Sequence, residues 1–394
     1  MKTITTSVSE RVHIAFFGRC NSGKSSLLNA LTGQEVSIVS DIPGTTTDSV
    51  TKNMELPGVG AVVLIDTAGI DDCTDLGIQR VKQTRKVLQK TDIAILILDD
   101  EDLSIEKEWL SIFENHKIPV IPVISKSDVF KNSFAGEDDI EAVTSMKPIR
   151  VSAFTKQGIN GLIKAIASTV DAEKRLITAG LCESGDVVLL VMPQDAQAPK
   201  GRLIKPQVET LRELLDRGCI AMCCSVEGLT PALMAMAQPP KLIITDSQVF
   251  ARVNELKPEE SMLTSFSVLF ARYKGDIKEF VSGAKNMMNL PPEAKILIAE
   301  ACTHVPQNED IGRVKLPDML RKRLGKQLTI DVVGGNDFPD DLTGYDLVIH
   351  CGACMFNRRH VLTRVAQAQE QNVPITNYGI AIAALSGILD KVSY

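Results

Sequence analysis

Eight residues, Gly18-Arg19-Cys20-Asn21-Ser22-Gly23-Lys24-Ser25, stand between a short β-rich apolar run, Val12–Phe17, and a helical stretch, Lys24–Leu31. A strand that turns through glycines into a helix lets backbone N–H groups wrap phosphates, and the helix N-terminus adds its positive end. This setting constrains the fold more than any bulk property. It calls for an open parallel sheet with helices crossing on its faces. The following residues keep that rhythm: Ala61–Ile65, Ile93–Leu98, Val120–Ile124 and Ile149–Val151 read as buried strands, and Ile159–Val170 as a helix. A doubly wound α/β domain is expected over residues 1–172.

The motifs inside this domain define a GTP site. Gly18 and Gly23 free the backbone to curve round the phosphates, with Ser22 and Ser26 beside them. Lys24 is expected to reach the β- and γ-phosphates, and the Ser25 hydroxyl to ligate Mg2+. Asp66-Thr67-Ala68-Gly69 supplies a magnesium-linked carboxylate, Asp66, and an amide, Gly69, that senses the γ-phosphate. Thr46, in Gly44–Asp48, is expected to close on Mg2+ in the triphosphate state. Lys126, Asp128, Ser152 and Ala153 follow two later strands and form the base site. Asp128 can accept two hydrogen bonds from guanine N1 and N2; adenine offers neither, so GTP is chosen over ATP.

These motifs resemble the GTPase class that includes Era and the tRNA-modification GTPase TrmE. Two departures matter. Ser125 stands where that class has Asn, and the shorter side chain is expected to weaken anchoring of the guanine loop, affecting nucleotide affinity more than nucleotide identity. Ile70 follows Gly69 and cannot orient water as glutamine would. In relatives that share this feature a P-loop Asn helps bind potassium, and Asn21 matches that position. The resemblance thus implies slow hydrolysis stimulated by K+.

The remaining 222 residues repeat the α/β pattern. A middle segment, 181–265, carries strands at Val187–Val191, Cys219–Cys224 and Leu242–Thr245 and a helix at Gln207–Arg217. No catalytic constellation appears there, and a structural or oligomerising role is expected. Cys219, Cys223 and Cys224 read as small core residues. In the last segment, 266–394, Lys295–Ile298 leads to Cys302-Thr303-His304, and Asp346–Ile349 leads to His350-Cys351-Gly352-Ala353-Cys354. Both motifs fall just past the carboxyl ends of strands, where open α/β sheets bind ligands. With 394 residues, 44% of them hydrophobic and 23% charged, the chain reads as several globular domains. A net charge of -6 argues against nucleic acid as the bulk partner. No apolar run is long enough for a membrane span, and a cytoplasmic location is expected, where the nine cysteines stay thiols or ligands.

Cys302, Cys351 and Cys354, with His304 and His350 beside them, offer a donor set that suits either of two metals. Three thiolates fit a 4Fe–4S cluster with one open iron, while Cys₃His or Cys₂His₂ sets fit structural zinc. Arg358, Arg359 and His360 follow; they read as a solvated helix turn or as a face toward an anion. An N-terminal GTPase domain, a middle domain and a C-terminal Cys-x-His … His-Cys-x-x-Cys pattern together resemble the FeFe-hydrogenase maturation GTPase family, over the full length. That resemblance implies a homodimer or higher assembly built on the middle domain. It implies a 4Fe–4S cluster on Cys302, Cys351 and Cys354, with His304 and His350 as motif members. It implies as function a scaffold that assembles a diiron precursor and delivers it to apo FeFe-hydrogenase, with radical-SAM maturation enzymes as further partners. The competing expectation is a tRNA-modification or ribosome-assembly GTPase with a structural zinc.

Overall fold

The computed structural model describes residues 11–33, 50–71, 84, 87–100, 102–129, 137–172, 175–193, 203–301, 311–325, 327–335, 337–353 and 356–394. The chain forms two compact units, Met1–Lys174 and Arg175–Tyr394.

In the first unit β1 (Val12–Phe17) leads into α1 (Lys24–Thr32). A hairpin follows, β2 (Val50–Leu56) and β3 (Gly60–Asp66), then β4 (Ile93–Leu98), α2 (Ser104–Asn115), β5 (Val120–Ile124), α3 (Glu137–Thr144), β6 (Ile149–Arg150) and α4 (Ile159–Ala172). The six strands run in the order β2-β3-β1-β4-β5-β6, and only the β2–β3 pair is antiparallel. Strand β4, Ile-Ala-Ile-Leu-Ile-Leu, is buried along its whole length because helices cover both sheet faces. The pleat sends alternate residues to opposite cores. Ala15 and Phe17 join Trp109 and Phe113 on one side, while Ile14 and Phe16 join Leu27, Leu28 and Leu162 on the other. Phe17 stacks edge-on against Phe113 at 4.9 Å between centroids. The doubly wound domain read from the sequence is the observed one.

The second unit holds two four-stranded sheets, all parallel. The first runs β10-β9-β7-β8, built from β7 (Val187–Val191), β8 (Ile220–Cys224), β9 (Leu242–Thr245) and β10 (Met262–Ser265). Between its strands lie α5 (Lys205–Asp216), α6 (Leu229–Met234) and α7 (Phe250–Leu256). Two helices, α8 (Phe266–Lys274) and α9 (Ile277–Met287), lead to the second sheet, β12-β11-β13-β14. It comprises β11 (Lys295–Ala299), β12 (Thr329–Val333), β13 (Leu347–His350) and β14 (Ile375–Asn377), with α10 (Leu316–Leu324), α11 (Arg358–Glu370) and α12 (Tyr378–Leu385). The two sheets share one core: Leu189, Ile243 and Leu263 belong to the same apolar cluster as Ile296–Ala299 and Leu347–Ile349. Gly283 lets α9 lie close against β14, since a Cβ there would lie 2.0 Å from the Ile375 carbonyl oxygen.

Two expectations change. Cys223 is exposed and Cys224 half-buried, because β8 is an edge strand; only Cys219 is core. Its Sγ lies 3.8 Å from Cys182 Sγ, and burial pushes the Cys219 thiol up to about 11. His350 is the last residue of β13, not the first of the loop, and is fully buried.

Candidate functional site

The phosphate loop is shaped by close approach. A Cβ at Gly18 would sit 2.7 Å from Ser22 Oγ and 2.9 Å from the Ile97 carbonyl oxygen, so the loop can lie against β4 only with glycine there. Gly23, at φ +97°, starts α1 in a conformation that L side chains resist. Lys24 is buried, and its Nζ donates to the carbonyls of Gly18 (2.9 Å) and Arg19 (2.6 Å). Burial lowers the Lys24 ammonium below the ordinary lysine value, against the pull of Asp66. Ser25 Oγ donates to Asp66 Oδ2 at 2.6 Å, uniting the hydroxyl and carboxylate expected at magnesium. Ser22 Oγ is buried with no partner among the described residues, and Ser26 is half-buried in the first turn of α1. A curved glycine loop, a buried ammonium and an orphaned hydroxyl fit a polyphosphate.

Past β3, Thr67 Oγ1 donates to the Phe16 carbonyl (2.6 Å), and Ile70 N–H donates to the Gly18 carbonyl (3.2 Å). Gly69 lies so close to the loop that a Cβ would fall 2.3 Å from Cys20 Sγ. Ile70 is itself buried, which leaves no polar side chain at that position. Cys20 N–H donates to Asp71 Oδ1 (2.7 Å). Thr46 lies outside the described residues. Arg19 donates to both carboxylate oxygens of buried Glu106 (2.8 and 3.1 Å), which raises its pKa and holds the loop to α2.

At the base site the substitution of Ser for Asn finds its explanation. Ser125 Oγ donates to the Ser22 carbonyl at 2.6 Å in a buried position, so the short side chain ties this loop to the phosphate loop. Lys126, at φ +52°, donates to the Asn21 carbonyl (2.8 Å) and to Asp99 Oδ2 (3.3 Å). Burial raises the Asp99 carboxyl, with Lys126 opposing. Asp128 is half-buried beside them. Ser152 is fully buried; its Oγ accepts from Thr155 N–H (3.1 Å), and Ala153 is half-buried next to it. Asn21, the expected potassium contact, is exposed at φ +59°.

The second site lies at the carboxyl edge of the β12-β11-β13-β14 sheet. Neighbouring β11 and β13 end together, with Ala299 opposite His350, and Cys351 N–H donates to the Ala299 carbonyl (2.9 Å). Cys351 Sγ accepts the N–H of Ala301 (3.0 Å) and approaches that of Ala353 (3.4 Å), as a thiolate ligand does. Ala301, the residue before Cys302 in sequence, is thus bonded to Cys351. Cys302, His304 and Cys354 lie outside the described residues, and among the described residues no group of three metal-binding side chains assembles.

His350 has both ring nitrogens engaged. Arg364 Nη1 lies 3.0 Å from Nε2, and since guanidinium only donates, Nε2 accepts and Nδ1–H donates to the Cys351 carbonyl (2.8 Å). In this arrangement the imidazole has no lone pair to offer a metal. Burial lowers its pKa to about 3, which keeps it neutral under the turn. Asn377 Nδ2 also donates to the Cys351 carbonyl (3.1 Å) while its Oδ1 caps α12. Lys274 Nζ donates to the carbonyls of Ala353 (2.7 Å) and Phe356 (3.1 Å). Glu300 accepts both Nε and Nη2 of Arg313 (3.1 and 3.0 Å). Arg359 is buried, so Arg358–His360 are no solvated turn. Lys274, Arg364 and Asn377 were not singled out from sequence. They are single polar residues on other elements, and no local spacing marks them.

Comparison with known proteins follows the same division. Residues 13–126 match the 50S ribosome-binding GTPase model, residues 177–275 the hydrogen maturase F dimerization domain, and residues 278–393 the hydrogen maturase F tetramerization domain. The tRNA modification GTPase MnmE of Syntrophotalea carbinolica is 30% identical over 232 residues, 58% of this chain and 47% of that protein. The MnmE of Mannheimia succiniciproducens is 40% identical over 160 residues, 38% of this chain and 34% of that protein. The chain thus spans less than half the length of these curated relatives. Among solved structures, Aquifex aeolicus Era bound to GDP·AlF4- shares 27% identity over 40% of this chain and 56% of its own, with a TM-score of 0.37. No helix among the described residues is long and apolar enough to cross a membrane. With a GTPase domain followed by both family-specific assembly domains, the chain belongs to the hydrogen maturase F (HydF) family.

Proposed function

We propose that the chain is a GTP-switched scaffold that holds a 4Fe–4S cluster on Cys302, Cys351 and Cys354 and assembles a diiron precursor for delivery to apo FeFe-hydrogenase. The observation that carries this reading is the position of Cys351 Sγ. It sits between the ends of two adjacent parallel strands, bonded to the N–H of the residue before Cys302. A cluster bound there would supply an iron with an exchangeable position. The chain's own contribution is to orient thiolates: Ala301 and Ala353 N–H groups direct Cys351 Sγ, while His350 and Asn377 fix the carbonyl of the same residue.

At the nucleotide site Lys24 leaves the Gly18 and Arg19 carbonyls to meet the β- and γ-phosphates, and Ser25 and Thr46 ligate Mg2+ with Asp66 behind them. Gly69 N–H senses the γ-phosphate, Asp128 reads guanine, and Asn21 contributes to a K+ contact. With Ile70 in place of a water-orienting residue, hydrolysis is slow and serves switching. Dimers form through 177–275, and 278–393 extends the assembly.

The test is anaerobic iron–sulfide reconstitution with metal analysis and EPR, with Cys302→Ala alongside. About four irons with matching sulfide, and a reduced signal lost in the variant, are expected. Stoichiometric zinc without iron would overturn the scaffold and favour the RNA-linked reading suggested by the MnmE likeness, which co-purifying RNA would strengthen.

A further inference from the structure

Two cations are buried beneath the cysteine turn. Arg364, on α11, is 3% exposed and Lys274, at the end of α8, is 4% exposed. Among the described residues, Arg364 donates to neutral His350 and to the Gly335 carbonyl (2.5 Å), not to a carboxylate. Its guanidinium lies over the rings of Phe338 (4.6 Å) and Phe356 (4.8 Å), and its Nε is buried with no partner among the described residues. Lys274 clasps the carbonyls of Ala353 and Phe356, which bracket position 354. Arg364 reaches the other end of the turn through His350 and the Cys351 carbonyl. Glu300, the buried carboxylate at the same sheet edge, is already matched by Arg313. Removing a guanidinium from water is costly unless an anion lies nearby. The group in this turn that can be anionic is the thiolate set.

We propose that Lys274 and Arg364 are positioning residues that hold buried positive charge against the backbone of Cys351, Ala353 and Phe356 and thereby raise the reduction potential of the cluster that Cys351 helps to carry. The inference rests on the cluster reading above. Reduction adds one negative charge to a centre that three thiolates already make anionic. A fixed cation nearby stabilises the reduced form more than the oxidised one, and neighbouring charge and hydrogen bonding are recognised determinants of cluster potential. Removing the charge therefore lowers the potential. Exchanging one cation for another leaves it near the parent value.

The experiment is an EPR-monitored redox titration of reconstituted full-length protein: parent, Arg364→Met, Arg364→Lys, Lys274→Met and Lys274→Arg, each with iron and sulfide analysis. At the parent's midpoint, the oxidised-to-reduced ratio in each Met variant is expected to rise at least about tenfold, equivalent to about 59 mV for one electron. The two charge-conserving exchanges are expected to stay near the parent. A Met variant that loads no cluster, while its charge-conserving counterpart does, equally supports the need for charge. Full iron with an unshifted titration in the Met variants overturns the inference. So does an equal shift, or an equal loss of iron, in the charge-conserving pair. A parent protein that binds no iron overturns the cluster reading itself, and the inference with it.

Discussion

Both sites place a buried lysine against two backbone carbonyls at the carboxyl edge of a parallel sheet, yet the two lysines differ in origin. Lys24 bonds Gly18 and Arg19, six and five residues away on its own loop. Lys274 bonds Ala353 and Phe356 from a different helix, 79 and 82 residues distant. A lysine that satisfies itself locally can let go when phosphate offers more charge, and its carbonyls stay beside it. A lysine that joins distant segments cannot leave without undoing tertiary structure. The first arrangement suits the movable phosphate ligand proposed above, and the second a fixed part of the scaffold. The same hydrogen-bond pattern serves exchange in one place and permanence in the other.

The most direct way to break this contrast is Lys24→Ala. Removing a preorganised charge from the transferring phosphoryl group is expected to cost on the order of 10²–10³-fold in GTP turnover. The reconstituted cluster spectrum is expected to remain. Retained turnover would show that Lys24 is structural after all, and a lost spectrum would show that the two sites fold together. The counterpart is Lys274→Met, read by denaturant unfolding of the cluster-free protein. Two carbonyls lose charged donors, so about 2 kcal/mol of stability is expected to go. An unchanged midpoint would mean that the cost of burying the ammonium cancels its bonds.

What the sequence makes legible follows the same line between local and distant contacts. The glycine loop, Asp66, Asp128 and Ser152 lie within a few residues of their strands, and a fixed spacing announces each. Cys351 is legible for the same reason, because the end of β13 adjoins it. Its environment is not. Arg364 reaches His350 across 14 residues, Asn377 reaches the Cys351 carbonyl across 26, and Lys274 comes from another helix. Such residues look like ordinary surface charges until the fold buries them. His350 illustrates the cost: spacing marks it as a ligand candidate, and burial gives both of its nitrogens to other partners. The shared core of the second unit was equally hidden, since a continuous apolar strand does not reveal which neighbouring sheet its face meets.

A smaller effect sharpens the nucleotide side. Ile70 is buried and apolar, and Asn21, the proposed potassium contact, is exposed. Replacing K+ by Na+ is expected to slow turnover at least about tenfold, well short of the ~10³–10⁵ that a fixed guanidinium supplies. Equal rates in the two salts would remove potassium from the mechanism. Asn21→Ala is expected to erase the difference between the salts while leaving a residual rate.

The smallest effect concerns Ser125, where the sequence suggests weak anchoring of the guanine loop. The geometry argues otherwise: Ser125 Oγ already bonds the Ser22 carbonyl at 2.6 Å in a buried position. Ser125→Ala removes one buried hydrogen bond, worth about 1 kcal/mol, and is expected to weaken GDP binding roughly fivefold. Ser125→Asn is the sharper variant. A longer amide enters a buried space where a hydroxyl already makes the bond. It is expected not to tighten binding, as isothermal titration would show. A lower Kd for the Asn variant would mean that the serine tie is poor, and that slack in this loop, not movement of Lys24, limits nucleotide retention.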